Sequence, residues 1–393
     1  MSLEKAEVSV NMYQFWLSRY KADYIKNYMD GVEKTDFWDQ IYDIKTNETY
    51  DDVLSKSIIE NAKTIVAALY MFDELKLELP DSAVEDVDVL MADLVNEVGE
   101  GSKNVLNSEL AKYGVNYNIL REIYLNEQKI VYLQIYLFGE DAENISAAAK
   151  DTYYKENYLH FKHIYFFSNA KPVYEKDNDG QEIYYLEGDH IAYDKENGEP
   201  EYVDGVVVKD AKGDIIYYKE DGKISYDTEN GKRAYVYGED GYITTEECTI
   251  AEISERKQLS EELLERIENG ENFESLMEEY NEDVAIDEYP NGFYYPKNSP
   301  YYYSDILTAV DEMEIGEVKI VNSAYGIHII KRYELEESGY TSTTNHDFFE
   351  DFNNSIMTEA FVNKAAEYYD KIEIDEELLK SYTLKDVKPC YNY

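Results

Sequence analysis

The sequence predicts an α+β chain, with helices toward both ends and strands in the middle. Before residue 152 and after residue 344, apolar residues recur at steps of three and four, the period of a helix with one buried face. Between these segments lie short runs rich in aromatic and β-branched residues, and a stretch in which turn dipeptides alternate with Tyr- and Val-rich pieces. We therefore expect a helical domain that carries a mixed domain, which in turn carries a β-rich insertion. The expected boundaries are 5–152 with 344–393 for the helical domain, 153–168 with 251–335 for the mixed domain, and 169–250 for the insertion.

Residues from about 8 to 160 are expected to form helices that pack against one another. The first predicted helix presents one apolar face, made of Met12, Phe15, Trp16, Tyr20, Tyr24 and Tyr28. No set of residues in this part of the sequence has the pattern of a catalytic site, so we interpret it as a structural domain. Residues 346–369 form one more amphipathic helix, and its apolar face is expected to pack on the N-terminal helices.

A short strand is predicted around residues 158–167, where Phe161, His163 and Tyr165 share one face. From about 169 to 249, Asn-Gly and Asp-Gly dipeptides recur between Tyr- and Val-rich stretches. These dipeptides supply the positive φ angles of two-residue hairpin turns, so we expect a β-meander there. Helical periodicity returns from Leu259 to Tyr280 and near residues 306–313, and a last strand is predicted over 326–330.

The sequence gives little support for a metal site or a cofactor. The Asp-rich loop at 177–180 suggests calcium, but the register of a calcium-binding helix–loop–helix would place Leu186 where a bidentate Glu is needed. The two cysteines, Cys248 and Cys390, are far apart and have neither the spacing of zinc ligands nor that of a disulfide framework. We therefore expect no metal and no cofactor.

The charge of the chain restricts its partners. There are 37 Lys and Arg against 84 Asp and Glu among 393 residues, which gives a formal net charge of −47. A polyanion of this kind is repelled by nucleic acid and by anionic membrane surfaces. We expect neutral or cationic partners and no nucleic acid.

Two of the five histidines occupy the short strands that bracket the insertion and the helices after it. His163 lies in the first strand and His328 in the last. A single His on an apolar strand is more often a packed core residue than a functional one, so the histidines alone leave the function open.

Three segments in order and at matching spacing resemble the parvulin-type (PpiC, rotamase) peptidyl-prolyl cis/trans isomerases. Residues 263–276, LLERIENGENFESL, resemble the helix of that family with its G-x-x-F-x-x-L ending, and 279–283, EYNED, resembles the E-Y-S-x-D that follows. Gly-Glu-Val at 316–318 and YGIHIIK at 325–331 resemble the last part of the family. His163 in Lys-His-Ile is similar to the family's opening strand. The flanking helical segments resemble the chaperone halves of SurA- and PrsA-like foldases.

This resemblance implies isomerisation of X-Pro bonds without covalent chemistry. It implies that His163 and His328 form a pair beneath the active site and that Asp283 lies beside the prolyl amide. It also implies a proline pocket and a neighbouring hydroxyl group, formed by Asn291, Tyr302, Ile306 and Ser323. The family has Leu, Met and Phe in this pocket, so the sequence departs from the pattern there.

The same resemblance implies partners and a location. The partners are unfolded or newly exported polypeptides that contain X-Pro, and phosphorylated Ser/Thr-Pro is disfavoured because the insertion is acidic. No run approaches the roughly 18–20 apolar residues of a membrane span. We expect an extracytoplasmic bacterial lipoprotein whose signal segment has been removed, with contact to a membrane only through that anchor. The sequence does not indicate an oligomeric state.

Three functions remain open at the level of sequence. The first is an active foldase, and the second is a holdase whose isomerase domain no longer turns over, which the departures in the pocket favour. The third is a cell-surface binding protein that uses the insertion. A hydrolase is disfavoured because no Ser/His/Asp or Cys/His set stands out.

Overall fold

The structure is a computed structural model that describes residues 1–176, 242–283, 286 and 289–393. Between 177 and 241 it describes Gly180, residues 235–238 and the backbone of eight short strands. The chain divides into two compact units, which we call unit 1 (Met1–Tyr153 with Phe349–Tyr393) and unit 2 (Tyr154–Phe348). Helices predominate in unit 1 and an antiparallel sheet organises unit 2, which confirms the predicted α+β class.

The helices of unit 1 begin where side chains can cap them. The Ser9 hydroxyl accepts the Met12 amide at the start of the first helix, and Thr49 and Asp52 form a capping box at the start of the second. The described helices are α1 Val10–Tyr28, α2 Tyr50–Glu74, α3 Asp81–Glu97, α4 Lys103–Leu110, α5 Tyr117–Phe138, α6 Ala147–Asn157, which continues into unit 2, α10 Phe352–Ala366 and α11 Glu376–Lys380. Short 3₁₀ turns lie at Thr35–Phe37, Ala111–Tyr113 and Tyr369–Lys371.

Two small hairpins accompany these helices. Strand β1 (Ser2–Leu3) pairs with β2 (Ala6–Glu7), and β3 (Ile41–Asp43) pairs with β4 (Glu48–Thr49). The sequence predicts that residues from about 8 to 160 are helical. The hairpin of β3 and β4 lies within that range, and the prediction missed it. Asn47 adopts a left-handed φ of 60°, a conformation that Asn tolerates and that lets the chain turn between β3 and β4.

The C-terminal helix packs on the N-terminal helices within unit 1. Phe361 and Ala365 of α10 are buried in the same apolar core as residues of α1, α2, α3 and α5. The chain after α10 is also fixed in place, because the buried Lys21 ammonium donates to the Val387 carbonyl at 2.9 Å. The last residues, which have little apolar pattern, are thus held by hydrogen bonds as well as by packing.

Unit 2 is built on a four-stranded antiparallel sheet with the order β16, β5, β18, β17. The strands are β5 Tyr158–Phe167, β16 Phe293–Pro296, β17 Val318–Asn322 and β18 Gly326–Tyr333. Strand β5 is central and pairs with β16 on one side and with β18 on the other. The family-like opening and closing strands of the sequence are therefore neighbours in the sheet.

Helices cover both faces of this sheet. On one face, Ile164 and Phe166 pack with Leu263, Phe273 and other apolar residues of α7 (Ile250–Glu268) and α8 (Phe273–Tyr280). On the other, Leu159 and Phe161 pack with apolar residues of α9 (Ser304–Glu312). Because side chains alternate along a strand, His163 lies on the α9 face with Phe161. Two 3₁₀ turns, Gly339–Thr341 and His346–Phe349, follow the sheet.

The insertion leaves unit 2 directly after β5. Its base is an antiparallel pair of β6 (Ala170–Pro172) and β15 (Thr245–Glu247). The pairings described between them are antiparallel. The strands are β7 Tyr184–Leu186, β8 Ile191–Ala192, β9 Glu199–Pro200, β10 Tyr202–Val203, β11 Val206–Val207, β12 Tyr217–Tyr218, β13 Ile224–Ser225 and β14 Gly231–Arg233. Most of the turn dipeptides that predict the meander, and the acidic residues of the calcium hypothesis, lie outside the described residues. Within the described part of the chain, no helix is long and apolar enough to span a membrane.

Candidate active site

Two buried histidines meet on the α9 face of the sheet. His163 on β5 and His328 on β18 lie on adjacent strands, and their Nδ1 atoms are 3.2 Å apart. Both side chains are almost completely buried, at 2% and 1% exposure. The distance is that of a hydrogen bond, so one ring donates and the other accepts.

A carboxylate completes the contact on the other side of His163. The Nε2 atom of His163 is 2.7 Å from Oδ2 of Asp283, which lies in the segment after α8. That segment is held along β5 by its neighbours: the Asn281 side-chain oxygen accepts the Tyr165 amide at 2.7 Å, and the Glu282 amide donates to the Tyr165 carbonyl at 2.9 Å. Asp283 is thus placed by the backbone of the strand that carries His163.

Ser323 contacts the second histidine. Its hydroxyl oxygen accepts the backbone amides of Tyr325 and Gly326, both at 3.2 Å, and lies 3.0 Å from His328 Nε2. The hydroxyl proton has two acceptors within reach, His328 Nε2 and the Gly326 carbonyl oxygen at 3.4 Å, so the direction is read from the other end. The Asp283 carboxylate accepts from His163 Nε2, which leaves His163 Nδ1 to accept from His328 and His328 Nε2 to accept from Ser323. His328 then donates through Nδ1 to His163, and His163 donates through Nε2 to Asp283. The four side chains form one directional chain that ends on a carboxylate.

The environment keeps His328 neutral. Burial, with a smaller contribution from the neighbouring His163, lowers the pKa of His328 to about 3, although Asp283 acts in the opposite direction. A neutral His328 can accept at one nitrogen and donate at the other, as the chain requires. Both ring nitrogens of His163 are engaged, by His328 and Asp283, so this imidazole has no nitrogen left for a metal ion.

An aromatic cluster surrounds the pair on the same face of the sheet. The ring of Phe293 lies 5.1 Å from that of His163, and Tyr302 lies 5.9 Å from Phe293 and 4.7 Å from Tyr295. The Tyr302 hydroxyl is 3.5 Å from His163 Nδ1, and burial raises its pKa, so it stays protonated. Ile306 is fully buried in the core beneath this cluster. The arrangement offers an apolar, aromatic surface beside a fixed carboxylate.

Comparison with known proteins identifies the domain that holds this site. Residues 242–335 match the sequence model of the PPIC-type PPIase domain. The chain contains a parvulin-type PPIase domain. The matched range includes Asp283, Ser323 and His328, whereas His163 on β5 precedes it, because the insertion separates the first strand from the rest. The sheet brings β5 back between β16 and β18.

Solved structures of foldases are also similar to this chain. One is PrsA from Bacillus subtilis, with 16% sequence identity, coverage of 84% of this chain and 90% of that chain, and a TM-score of 0.22. Another is the foldase protein PrsA from Streptococcus pneumoniae, with 12% identity, coverage of 84% of this chain and 90% of that chain, and a TM-score of 0.21. A third is the peptidylprolyl isomerase PrsA from Bacillus cereus, with 14% identity, coverage of 88% of this chain and 97% of that chain, and a TM-score of 0.26. The TM-scores are low, so the assignment of the PPIase domain depends on the family match and on the site. No curated protein matches the chain.

Not every predicted residue of the PPIase domain reaches the site. Asn291 lies in the turn before β16 with an exposed side chain, and its carbonyl accepts from His160, on the opposite face of the sheet from His163. The structure therefore corrects its assignment to the proline pocket, and Phe293 takes the position next to His163. The turn needs Gly292, which has a φ of 90° and where a Cβ would lie 2.6 Å from the Phe161 carbonyl oxygen.

Sequence reasoning also missed the residues that hold Asp283. Glu282 accepts the Phe167 amide at 2.9 Å and pairs with the Arg256 guanidinium, whose Nε and Nη2 lie 3.1 and 3.0 Å from one carboxylate oxygen. A cleft of about 390 Å³ opens beside this pair and is lined in part by Phe167. The cleft does not include the histidines, so we place the site by its hydrogen bonds and not by cavity volume.

Proposed function

We propose that the PPIase domain isomerises X-Pro bonds of unfolded polypeptides and that the protein acts as a foldase. The observation that carries this proposal is the directional chain Ser323, His328, His163 and Asp283, which ends beside the aromatic cluster. All four side chains belong to one unit, and three of them lie within the family match.

The proposed mechanism uses electrostatics and no covalent step. Rotation about an X-Pro bond breaks amide resonance, which gives a barrier of about 18–20 kcal/mol. Resonance places negative charge on the carbonyl oxygen, and that charge is lost as the bond twists. A carboxylate fixed near this oxygen therefore destabilises the planar amide more than the twisted one, and so lowers the barrier.

In this mechanism Asp283 is the fixed carboxylate, and the histidines keep it in position. His163 donates to Asp283 and is itself held by His328, so the carboxylate does not depend on solvent for its orientation. In this proposal the partly exposed ring of Tyr302, which packs on the buried Phe293, receives the prolyl ring and removes the amide from water.

A second candidate function is a holdase, and exposed apolar residues of unit 1 favour it. On α5, the side chains of Val131, Tyr132, Ile135 and Tyr136 are exposed. They recur at positions that place them on one side of the helix. Such a surface is suited to unfolded chains, and it would act without turnover at the PPIase domain.

The proposal includes a location outside the cytoplasm of a bacterium, with a lipid anchor. The low cysteine content is compatible with an oxidising compartment, since Cys248 is partly buried and Cys390 is buried, and the anchor is proposed from the family resemblance alone. Fractionation of the producing cells, followed by mass analysis of the mature N-terminus, tests both the compartment and the anchor. A cytoplasmic, unlipidated protein would contradict this part of the proposal.

The activity is tested in a protease-free assay that follows the cis-to-trans relaxation of an unphosphorylated X-Pro peptide. The uncatalysed process takes tens to hundreds of seconds at 25 °C, so weak catalysis is measurable. We expect the full chain to accelerate relaxation in proportion to its concentration. Asp283→Ala should lower kcat/KM by about tenfold or more, because the fixed charge is lost.

The matched control is Asp347→Ala, which removes a 69% exposed carboxylate of the same unit and should leave kcat/KM unchanged. If the folded wild-type chain does not accelerate the peptide above background, the foldase proposal is wrong. Suppression of aggregation of an unfolded client protein by that same inactive chain would then favour the holdase.

A further inference from the structure

Two tyrosines form an exposed aromatic pair at the edge of the site. The rings of Tyr303 and Tyr325 stack with centroids 4.9 Å apart and an interplanar angle of 29°. The side chains are 38% and 50% exposed, unlike the buried rings closer to the histidines. Tyr303 also lies 6.4 Å from the His328 ring and 5.1 Å from Tyr302, so the pair begins where the aromatic cluster ends.

A carboxylate lies close to Tyr303 in the chain, and its Oδ1 accepts the Ile306 amide at 3.0 Å. Asp305 follows Tyr303 by two residues, at the start of α9, and is exposed. Burial raises the pKa of the Tyr303 hydroxyl, and the nearby Tyr325, Asp283 and Asp305 raise it further. The hydroxyl thus lies within electrostatic range of two carboxylates, one of which belongs to the directional chain.

The arginine next to the Asp283 segment is already paired. Arg256 lies close to the Asp283 segment, but both its Nε and its Nη2 donate to Glu282. The chain as a whole carries a net charge of −47, which adds a long-range attraction for cations. The edge of the site therefore combines aromatic faces with negative charge.

We propose that Tyr303, Tyr325 and Asp305 form a subsite for a lysine or arginine side chain next to the proline of the substrate. An ammonium or guanidinium within about 6 Å of an aromatic ring is attracted by the ring's quadrupole. The aliphatic stem of either side chain can lie along the stacked rings while its charged end reaches Asp305. This inference rests on the proposed function, because it concerns the substrates of the same site.

The test is a series of peptides that differ only in the residue before the proline, with Lys, Ala, Phe or Glu there, and a second series that varies the residue after it. The full chain is assayed with each. In at least one of the two series, we expect KM for the Lys peptide to be about three- to tenfold below KM for the Ala peptide. In the same series, KM for the Glu peptide should be above KM for the Ala peptide. Raising the salt concentration should reduce the Lys preference, since an exposed charge contact is screened.

Variants assign the preference to these residues. Tyr325→Leu and Asp305→Asn should each bring the ratio of KM between the Ala and Lys peptides toward one, whereas Tyr325→Phe, which keeps the aromatic face, should retain it. Tyr301→Leu is the matched control: Tyr301 is 80% exposed and next to the aromatic cluster in sequence, and its replacement should leave the ratio unchanged.

The outcomes separate the two proposals. Equal KM for Lys and Ala peptides, with acceleration of both, overturns the cation subsite and leaves the foldase proposal intact. Tightest binding of the Phe peptides overturns it in favour of an aromatic subsite. If no peptide is accelerated, the foldase proposal fails. The subsite is then tested by itself, by measuring dissociation constants of labelled Lys-Pro and Ala-Pro peptides with fluorescence anisotropy. Equal dissociation constants for the two peptides overturn the cation subsite.

Discussion

Two histidines three residues apart on β5, His160 and His163, have opposite surroundings. Both are buried, at 5% and 2% exposure, but alternation along the strand places them on opposite faces of the sheet. The ring nitrogens of His160 lie 3.0 Å from the Glu334 carbonyl oxygen and 2.8 Å from that of Asn291, and its ring stacks on Tyr294 at 4.1 Å. The Nδ1 atom of His160 also lies 3.6 Å from the Glu336 carboxylate. The ring nitrogens of His163, in contrast, lie at hydrogen-bond distance from the side chains of His328 and Asp283.

The difference shows which kind of contact marks a functional histidine. The hydrogen-bond partners of His160 include two backbone carbonyl oxygens, which are fixed acceptors and join the turn before β16 to the chain after β18. The partners of His163 are the titratable groups His328 and Asp283, beside an aromatic cluster. Both histidines are buried and each has a carboxylate nearby, at 3.6 Å for His160 and 2.7 Å for His163. The candidate catalytic residue is therefore distinguished by a carboxylate at hydrogen-bond distance and by a second histidine bonded to the same ring.

The largest expected effect separates these two histidines. His163→Ala should lower kcat/KM for an X-Pro peptide by about tenfold to a hundredfold, because Asp283 loses the donor that orients it. His160→Ala should leave kcat/KM per folded molecule near the wild-type value but lower the free energy of unfolding by about 2–3 kcal/mol. Urea denaturation of each variant, together with the peptide assay, measures both quantities.

Each variant serves as the control for the other. The comparison fails if His160→Ala loses turnover while it remains folded, since a purely structural residue on the opposite face should not affect the site. It fails equally if His163→Ala remains fully active, because the hydrogen-bonded chain would then have no part in catalysis.

A smaller effect concerns the pH dependence of stability. The pKa of His328 falls from its ordinary 6.5 to about 3 in the folded protein, so between these values the unfolded chain binds a proton that the folded chain does not. Stability therefore falls as the pH is lowered from about 6.5 toward 3, and this histidine contributes roughly 3–5 kcal/mol over the whole range. His328→Gln should remove that part of the slope.

The measurement is urea denaturation at several pH values, with the wild type and His328→Gln compared at each. Carboxylates also titrate in this range, so the difference between the two curves, not the wild-type curve alone, reports His328. His346→Gln is the control, because this histidine is 69% exposed and its replacement should leave the pH dependence as it is. Parallel curves for wild type and His328→Gln would show that His328 is not held neutral.

The parts of the site that the sequence predicted are those set by local motifs. His328 lies in the run YGIHIIK, which forms β18, and the resemblance of this run and of the segment ending at Asp283 assigns both residues. A strand motif fixes the face of each residue in it, since side chains alternate. The predicted adjacency of His163 and His328 follows once both strands are known to share a sheet.

The parts that the sequence missed depend on pairing between distant segments. Residues 289–303 are rich in Tyr and Pro, and their length differs from the family pattern, so nothing local fixed the register of β16. Pairing of Phe293 with Phe161 sets that register and leaves Asn291 in the turn. Likewise, Arg256 and Glu282 are 26 residues apart, and no periodicity within α7 indicates that they meet.

The smallest expected effect tests whether the segment that carries Asp283 is held by this Arg256 and Glu282 pair. Arg256→Gln should lower kcat/KM by about two- to fivefold, because Glu282 keeps its bond to the Phe167 amide but loses its charged partner. The kcat/KM of Arg256→Lys should lie between those of Arg256→Gln and the wild type, since an ammonium can replace the charge but not the two-pronged contact. Arg121→Gln is the matched control: it breaks a two-pronged pair with Asp88 in unit 1 and should leave kcat/KM unchanged. Equal losses of kcat/KM in the Arg256 and Arg121 variants would mean that the Arg256 pair does not act by positioning the carboxylate.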